Sequence, residues 1–230
     1  MNRVLLRDAA GGDPGGGWNH DPGGDLAAEG GDRARTARVG LRLFLVVVSS
    51  LFFLFLVAFI ARSQVGDWQP LTEPMAPLAS SAPLWLNSGL LLLASIALQG
   101  ARLAARRGLL GATAVGFGLG GVFTLAFLLG QLWVWQQFAA WGYFVAGNPA
   151  TSFFYLLTGL HGLHLLGGLV AWGRTLAGFM RRMPLARLGA SVELCAIYWH
   201  YLLGLWLVLF ALLTSTPETY QAIAAFCGLR

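Results

Sequence analysis

Four residues whose chemistry is rare in apolar surroundings fall late in the chain: His161 and His164, three apart, and Glu193 and His200, seven apart. On a helix each spacing keeps its pair on one face, so two neighbouring helices would present imidazole and carboxylate to each other. Such a set could ligate a metal or a haem, touch a lipid headgroup or a partner subunit, or join helices by hydrogen bonds. Haem ligation wants imidazoles on facing helices with room for the macrocycle. The glycines at 159, 162, 167 and 168 instead favour close helix approach, hence an interhelical ladder. Counted at about 1.5 Å per residue from opposite membrane faces, His161 should lie level with His200 and His164 with Glu193. Glu193 is the only acid within an apolar block. A structural partner, His or Arg, is the favoured reading for it, because a proton relay needs further titratable groups along a path.

The elements that must carry these residues follow from composition. The chain has 230 residues, 57% of them hydrophobic and 11% charged, with a mean hydropathy of +0.65. Soluble domains carry about 25% charge, so a water-soluble globule is excluded and a membrane bundle is expected. Leu43 to Ala61 and Leu84 to Ala101 are uncharged apolar runs, separated by a linker with Asp67, Pro70, Glu73, Pro74, Pro77 and Pro83. Gly108 to Gly173 is 66 residues without a charge, too long for one crossing, and Gly147, Asn148 and Pro149 mark its turn. The expected spans are therefore 43–61, 84–101, 110–136, 151–172 and 188–214. The fold class is all-α, a polytopic membrane bundle of five transmembrane helices over 39–215. Residues 1–38, with nine glycines, six acids and five arginines, read as a disordered Gly-rich tail, and 216–230 as a short C-terminal tail.

The formal charge of +5 comes from arginines clustered between apolar blocks, which suits membrane flanks and not a nucleic-acid surface. Arg33, Arg35 and Arg38 precede the first span, Arg102, Arg106 and Arg107 lie between the second and third, and Arg174, Arg181, Arg182 and Arg187 between the fourth and fifth. All three clusters place the N-terminus in the cytoplasm and the C-terminus in the periplasm. The two cysteines, Cys195 and Cys227, form no short-spaced pair, and there is no Cys-x-x-Cys-His, phosphate loop or His-Glu-x-x-His. The residues alone point to a scaffold or accessory subunit ahead of an enzyme, with no metal site assigned.

The stretch TSFFYLLTGLHGLHLLGG, Thr151 to Gly168, resembles the fourth-span signature of subunit III of haem-copper oxidases. Glu193 followed by Tyr198, Trp199, His200 and Tyr201 is similar to that family's final-helix glutamate and Tyr-Trp-His-aromatic string, with Trp206 also in place. Asn87, Ser88 and Ser95 resemble the second-span pattern, and Gly130 with Gln131 the third. The resemblance covers roughly 39–215 and implies the five-helix bacterial form: a multi-pass protein of the bacterial inner membrane in aerobic electron transport. It implies docking on subunit I, with subunit II in the same complex, bound structural phospholipids, and no redox cofactor in this chain. On it, His161, His164, Glu193, His200 and Trp199 are structural, lipid-contacting or partner-contacting residues.

Departures from the family pattern are concentrated at acids. Ser49 and Ser50 stand where a Ser-Glu is common, Val134 where a glutamate follows the glutamine, and Leu202 and Leu203 near the place of an aspartate. A support of proton uptake through those carboxylates is therefore not expected. A subunit III-like protein associated with nitric oxide reductase and a b-type haem cytochrome are the alternatives; a small transporter, lacking any inverted repeat, ranks last.

Overall fold

The computed structural model describes residues 22–72, 82–226 and 228, with the side chains of 22–34, 185–187 and 226 excepted. Six helices follow one another: α1 (Pro22–Ser63), α2 (Ala82–Arg106), α3 (Leu110–Ala140), α4 (Pro149–Met180), α5 (Leu185–Leu213) and α6 (Pro217–Phe226). The stretches long and apolar enough to cross a membrane are Arg35–Ser63, Ala82–Arg106, Leu110–Ala140, Pro149–Met180 and Leu188–Leu213. The expected all-α, five-span architecture is the one observed. Most helices outrun the expected spans because an arginine ends hydropathy without ending a helix: Arg102 and Arg106 belong to the last turns of α2.

The chain divides into two compact units, Met1–Ala37 and Arg38–Arg230. In the first, residues 1–21 of the expected tail lie outside the described residues, and from Pro22 the backbone is helical. Leu26, Ala27, Ala28, Glu29, Arg33 and Arg35 are good helix formers and outweigh the glycines there. At the other end, the expected C-terminal tail contains α6, which starts with Pro217 as its first residue after Thr216.

Helix ends are set by local chemistry. Asn148 caps α4 by accepting from the Ala150 N–H at 3.1 Å, with Pro149 in the first turn. The ends of α2 and α3 pass through left-handed glycines, Gly108 and Gly142, each closed by paired backbone bonds (Leu109 N–H to Ala104 O and Gly108 N–H to Ala105 O at α2). At the end of α4 the same position holds Arg182, with φ 55°.

The core sits where α2, α3, α4 and α5 meet. Gly116 and Gly120 of α3 form the notch that their spacing suggests: a Cβ at Gly116 would lie 3.0 Å from the Ala97 carbonyl, and one at Gly120 2.5 Å from Leu98 Cγ. Leu91, Leu98, Phe117, Phe127, Phe154, Leu157, Leu165, Trp199 and Trp206 are fully enclosed. Within the second unit, α1 is the most exposed span: Leu43, Val46, Val47, Phe53 and Leu54 are exposed, while Val48, Phe52, Phe59 and Ile60 are buried.

Candidate functional site

Indole N–H groups and hydroxyls tie the four inner helices together. Trp206 of α5 donates to Ser88 Oγ of α2 (2.9 Å), Trp199 of α5 to Thr124 Oγ1 of α3 (2.7 Å), Trp135 of α3 to Thr158 Oγ1 of α4 (3.1 Å), and Trp172 of α4 to the Phe117 carbonyl of α3 (2.8 Å). Each hydroxyl that accepts an indole also donates to its own helix: Ser88 to Leu84 O, Thr124 to Gly120 O and Thr158 to Phe154 O. The indole N–H and the hydroxyl's own O–H, both of which hydrocarbon would leave unpaired, are thus satisfied together. Asn87 adds a bond to Gln131 at 3.3 Å.

The histidines do not form the expected ladder. His161 is fully enclosed, its ring 5.2 Å from Trp206 and 5.9 Å from Phe127, and neither ring nitrogen finds a partner. His164 donates from Nδ1 to Leu160 O of its own helix (2.7 Å) and packs against Phe44 and Phe52 of α1. His200 is exposed and turns its Nδ1 to Ala196 O (2.5 Å). Among the described residues, no hydrogen bond or ion pair joins any two of His161, His164, Glu193 and His200. The pairing expected from depth, His161 with His200 and His164 with Glu193, is corrected for a geometric reason. Counting residues gives height along a helix, whereas direction around it turns by about 100° per residue. Three residues therefore swing His164 about 60° from His161, out of the core and toward α1. His200 likewise follows the inward-facing Trp199 by one residue and points outward.

Glu193 meets arginines. Its Oε1 accepts from Arg102 Nη2 at 2.8 Å and Arg106 Nη2 at 3.0 Å, both from α2, and its Oε2 accepts from Arg38 Nη2 of α1 at 3.2 Å. One carboxylate thereby joins α1, α2 and α5 at the arginine-bearing end of the bundle. The sequence leaves Glu193 a His or Arg partner without fixing which, and these three arginines enter it as topology markers. Their depth is the signal that could have found them: Arg102 lies one turn inside the end of α2, and Glu193 lies about two turns inside the start of α5, at the same end of the bundle.

A groove of about 860 Å³ opens between α1, α4 and α5. Its walls are apolar (Leu41, Phe44, Leu166, Leu194), Arg174 stands on its rim, and His164 and Cys195 also line it. On the other side of α1 a second groove of about 780 Å³ runs along Ser49, Ser50, Phe53, Tyr201 and Gly204. There Tyr201 Oη meets Ser49 Oγ at 2.8 Å. These serines occupy the place where the family pattern has a carboxylate, and their hydroxyls also donate to their own helix, at Leu45 O and Val46 O.

Among the described residues, no group of three His, Cys, Asp or Glu side chains is placed to hold a metal ion. Fold and polar groups together define a polytopic membrane protein whose interior chemistry is helix-to-helix bonding. The family described as cytochrome c oxidase subunit III matches residues 24–215, and the chain belongs to it. It is 31% identical over 179 residues to cytochrome c oxidase subunit 3 of Synechocystis sp., covering 75% of this chain and 72% of that protein. It is 32% identical over 162 residues to the protein named "Probable cytochrome c oxidase subunit 3" in Mycobacterium leprae, covering 70% and 77%. The counterpart in Nocardia farcinica is 29% identical over 170 residues, covering 69% and 76%. The chain is thus a multi-pass bacterial membrane protein, an accessory subunit III of a terminal oxidase that associates with the oxidase complex. The family is generally without a redox cofactor of its own. The nitric oxide reductase and b-type cytochrome alternatives are not favoured.

Proposed function

We propose that this subunit docks on the haem-copper catalytic subunit I, in a complex that also contains subunit II, and stabilises it while holding phospholipid in the groove between α1, α4 and α5. On this reading the arginine-bearing end faces the cytoplasm and the C-terminus the periplasm, in keeping with the arginine distribution. The observation that carries the lipid part is the groove itself, apolar along its length and with Arg174 on its rim. Among the described residues Arg174 makes no ion pair, so its guanidinium is available to a phosphate. His164 lines the same groove and would contact acyl chains, whereas the fully enclosed Trp199 and His161 support the bundle from within. Extraction of native membranes in a mild detergent tests the docking: the chain should migrate with a haem-copper subunit, and migration free of one would overturn the reading. Phosphorus analysis tests the lipid part, with retained phospholipid expected to fall in Arg174→Gln.

A further inference from the structure

Within the second unit, α1 is held unevenly along its length. At its far end Phe59 is buried against Trp68, Phe153 and Tyr220, with ring centroids 4.9, 5.6 and 5.4 Å away. At mid-length Val48 and Phe52 are buried, and Ser49 meets Tyr201. Toward the arginine-bearing end the hold thins to Leu41 and the Phe44 ring, 6.2 Å from both His164 and Tyr198, and then to Arg38 on Glu193. Among the described residues this is the only ion pair joining α1 to another helix. Leu41 and Phe44 are also the α1 residues that wall the groove beside α4 and α5.

We infer that the Arg38–Glu193 pair is a latch: it holds the arginine-bearing half of α1 over the groove between α1, α4 and α5, and its release opens that groove sideways to the membrane. The carboxylate does not depend on the latch for its own charge balance, because Arg102 and Arg106 stay on Oε1 when Arg38 leaves Oε2. Release therefore strands no anion, which lets one contact govern α1 while α2 and α5 remain joined. The guanidinium of Arg38 is half exposed, within reach of an arriving headgroup phosphate that would compete with Glu193 for it. The latch rests on the lipid reading of the groove for what passes through it.

Cys195 supplies the reporter: it lines the groove, is 5% exposed, and after Cys227→Ser would be the sole thiol of the chain. The test is the labelling rate of Cys195 by N-ethylmaleimide in the full-length protein, purified in phospholipid-free detergent. An exposed ion pair of this kind shifts an equilibrium by up to about fivefold. Arg38→Gln should raise the rate by that factor, Arg38→Lys should return it to the parent value, and Arg106→Gln, which takes a cation from the same carboxylate without touching α1, should leave it unchanged. Equal rates in Arg38→Gln and the parent would overturn the latch, as would an equal rise in Arg106→Gln. Lipid is absent from this measurement, so parent protein from native membranes that retained no phospholipid would remove the lipid reading separately.

Discussion

Replacing Glu193 by glutamine tests how the bundle is closed at its arginine-bearing end. The carboxylate accepts three guanidinium N–H bonds, at 2.8 Å from Arg102, 3.0 Å from Arg106 and 3.2 Å from Arg38. Hydrogen bonds to charged groups contribute about 1.5–3 kcal/mol when shielded, and exposed ion pairs about 0–1 kcal/mol. Exposure divides the three: the Arg102 and Glu193 side chains are 25% and 22% exposed, whereas those of Arg38 and Arg106 are 51% and 58% exposed. The Arg102 bond should then contribute about 1.5 kcal/mol and the other two about 0.5 kcal/mol each, so Glu193→Gln should destabilise by about 2.5 kcal/mol. Denaturant titration in mixed micelles, followed by tryptophan fluorescence, gives the total, and double-mutant cycles with Arg102→Gln, Arg106→Gln and Arg38→Gln give the parts. The reasoning fails if Glu193→Gln unfolds with the parent, or if the coupling to Arg102 is no larger than that to Arg106.

Other outcomes follow from the same geometry. A Cβ at Gly121 would lie 2.1 Å from Trp172 Cζ2, in an indole anchored on Phe117 O, so Gly121→Ala should cost about 1–3 kcal/mol in thermal unfolding; at Gly118, which has nothing within 4 Å, the same change should be neutral or stabilising. His161→Phe places a ring of similar size between Phe127 and Trp206 and removes two unpaired nitrogens; the Tm should hold or rise, the haem spectrum of the complex should not change, and a collapse of either would show that the imidazole has a polar task. At the end of α1, the Arg62 guanidinium, bonded to both oxygens of Asp67 in the loop that follows, holds that carboxyl below its ordinary range. The sign follows: a depressed carboxyl contributes to the clasp above its unfolded pKa and loses that contribution as pH falls through the folded value, so the clasp persists at neutral pH and opens only under acid. A carbon-13 titration of Asp67 should show the depression, and Arg62→Gln should abolish it.

The number of spans was legible because hydrophobicity and arginine placement are properties of segments, which a linear reading handles well. The start of α4 was legible for a local reason: Asn148 followed by Pro149 is both a turn signal and a helix start, and the structure uses it as one. The same kind of signal, Thr216-Pro217-Glu218, opens α6 inside what the sequence suggests is a tail. Which arginines meet Glu193, and where the histidines point, was not legible, since direction around a helix is fixed by which neighbours crowd each side. Glycines decided much of that: Gly168 admits Tyr198 and Trp199 against α4, a Cβ there falling 2.7 Å from Tyr198 Cε1, and this packing settles which way α5 turns and leaves His200 outside. Long arginine side chains add a second obstacle, since they carry charge well away from the Cα whose depth a sequence reveals.

Two styles of packing give the two parts of the bundle different freedom. Between α2, α3, α4 and α5, four indole N–H bonds cross from helix to helix, and each such bond in a membrane interior contributes about 0.6–2 kcal/mol. They are also directional, so sliding one helix past another breaks them together, and these helices should move as one body. α1 meets the rest through phenyl rings, which tolerate several arrangements at similar separation, and through few polar contacts with α5. Hydrocarbon gives such a contact little added driving force, because an acyl chain solvates a leucine or phenylalanine as well as another helix does. On the lipid reading proposed above, exchange of lipid for α1 along the groove would be nearly balanced by apolar packing alone. In such a balance a single ion pair would set the direction, and that is the part the proposed latch gives to Arg38, the third arginine on a carboxylate that already meets Arg102 and Arg106 of α2.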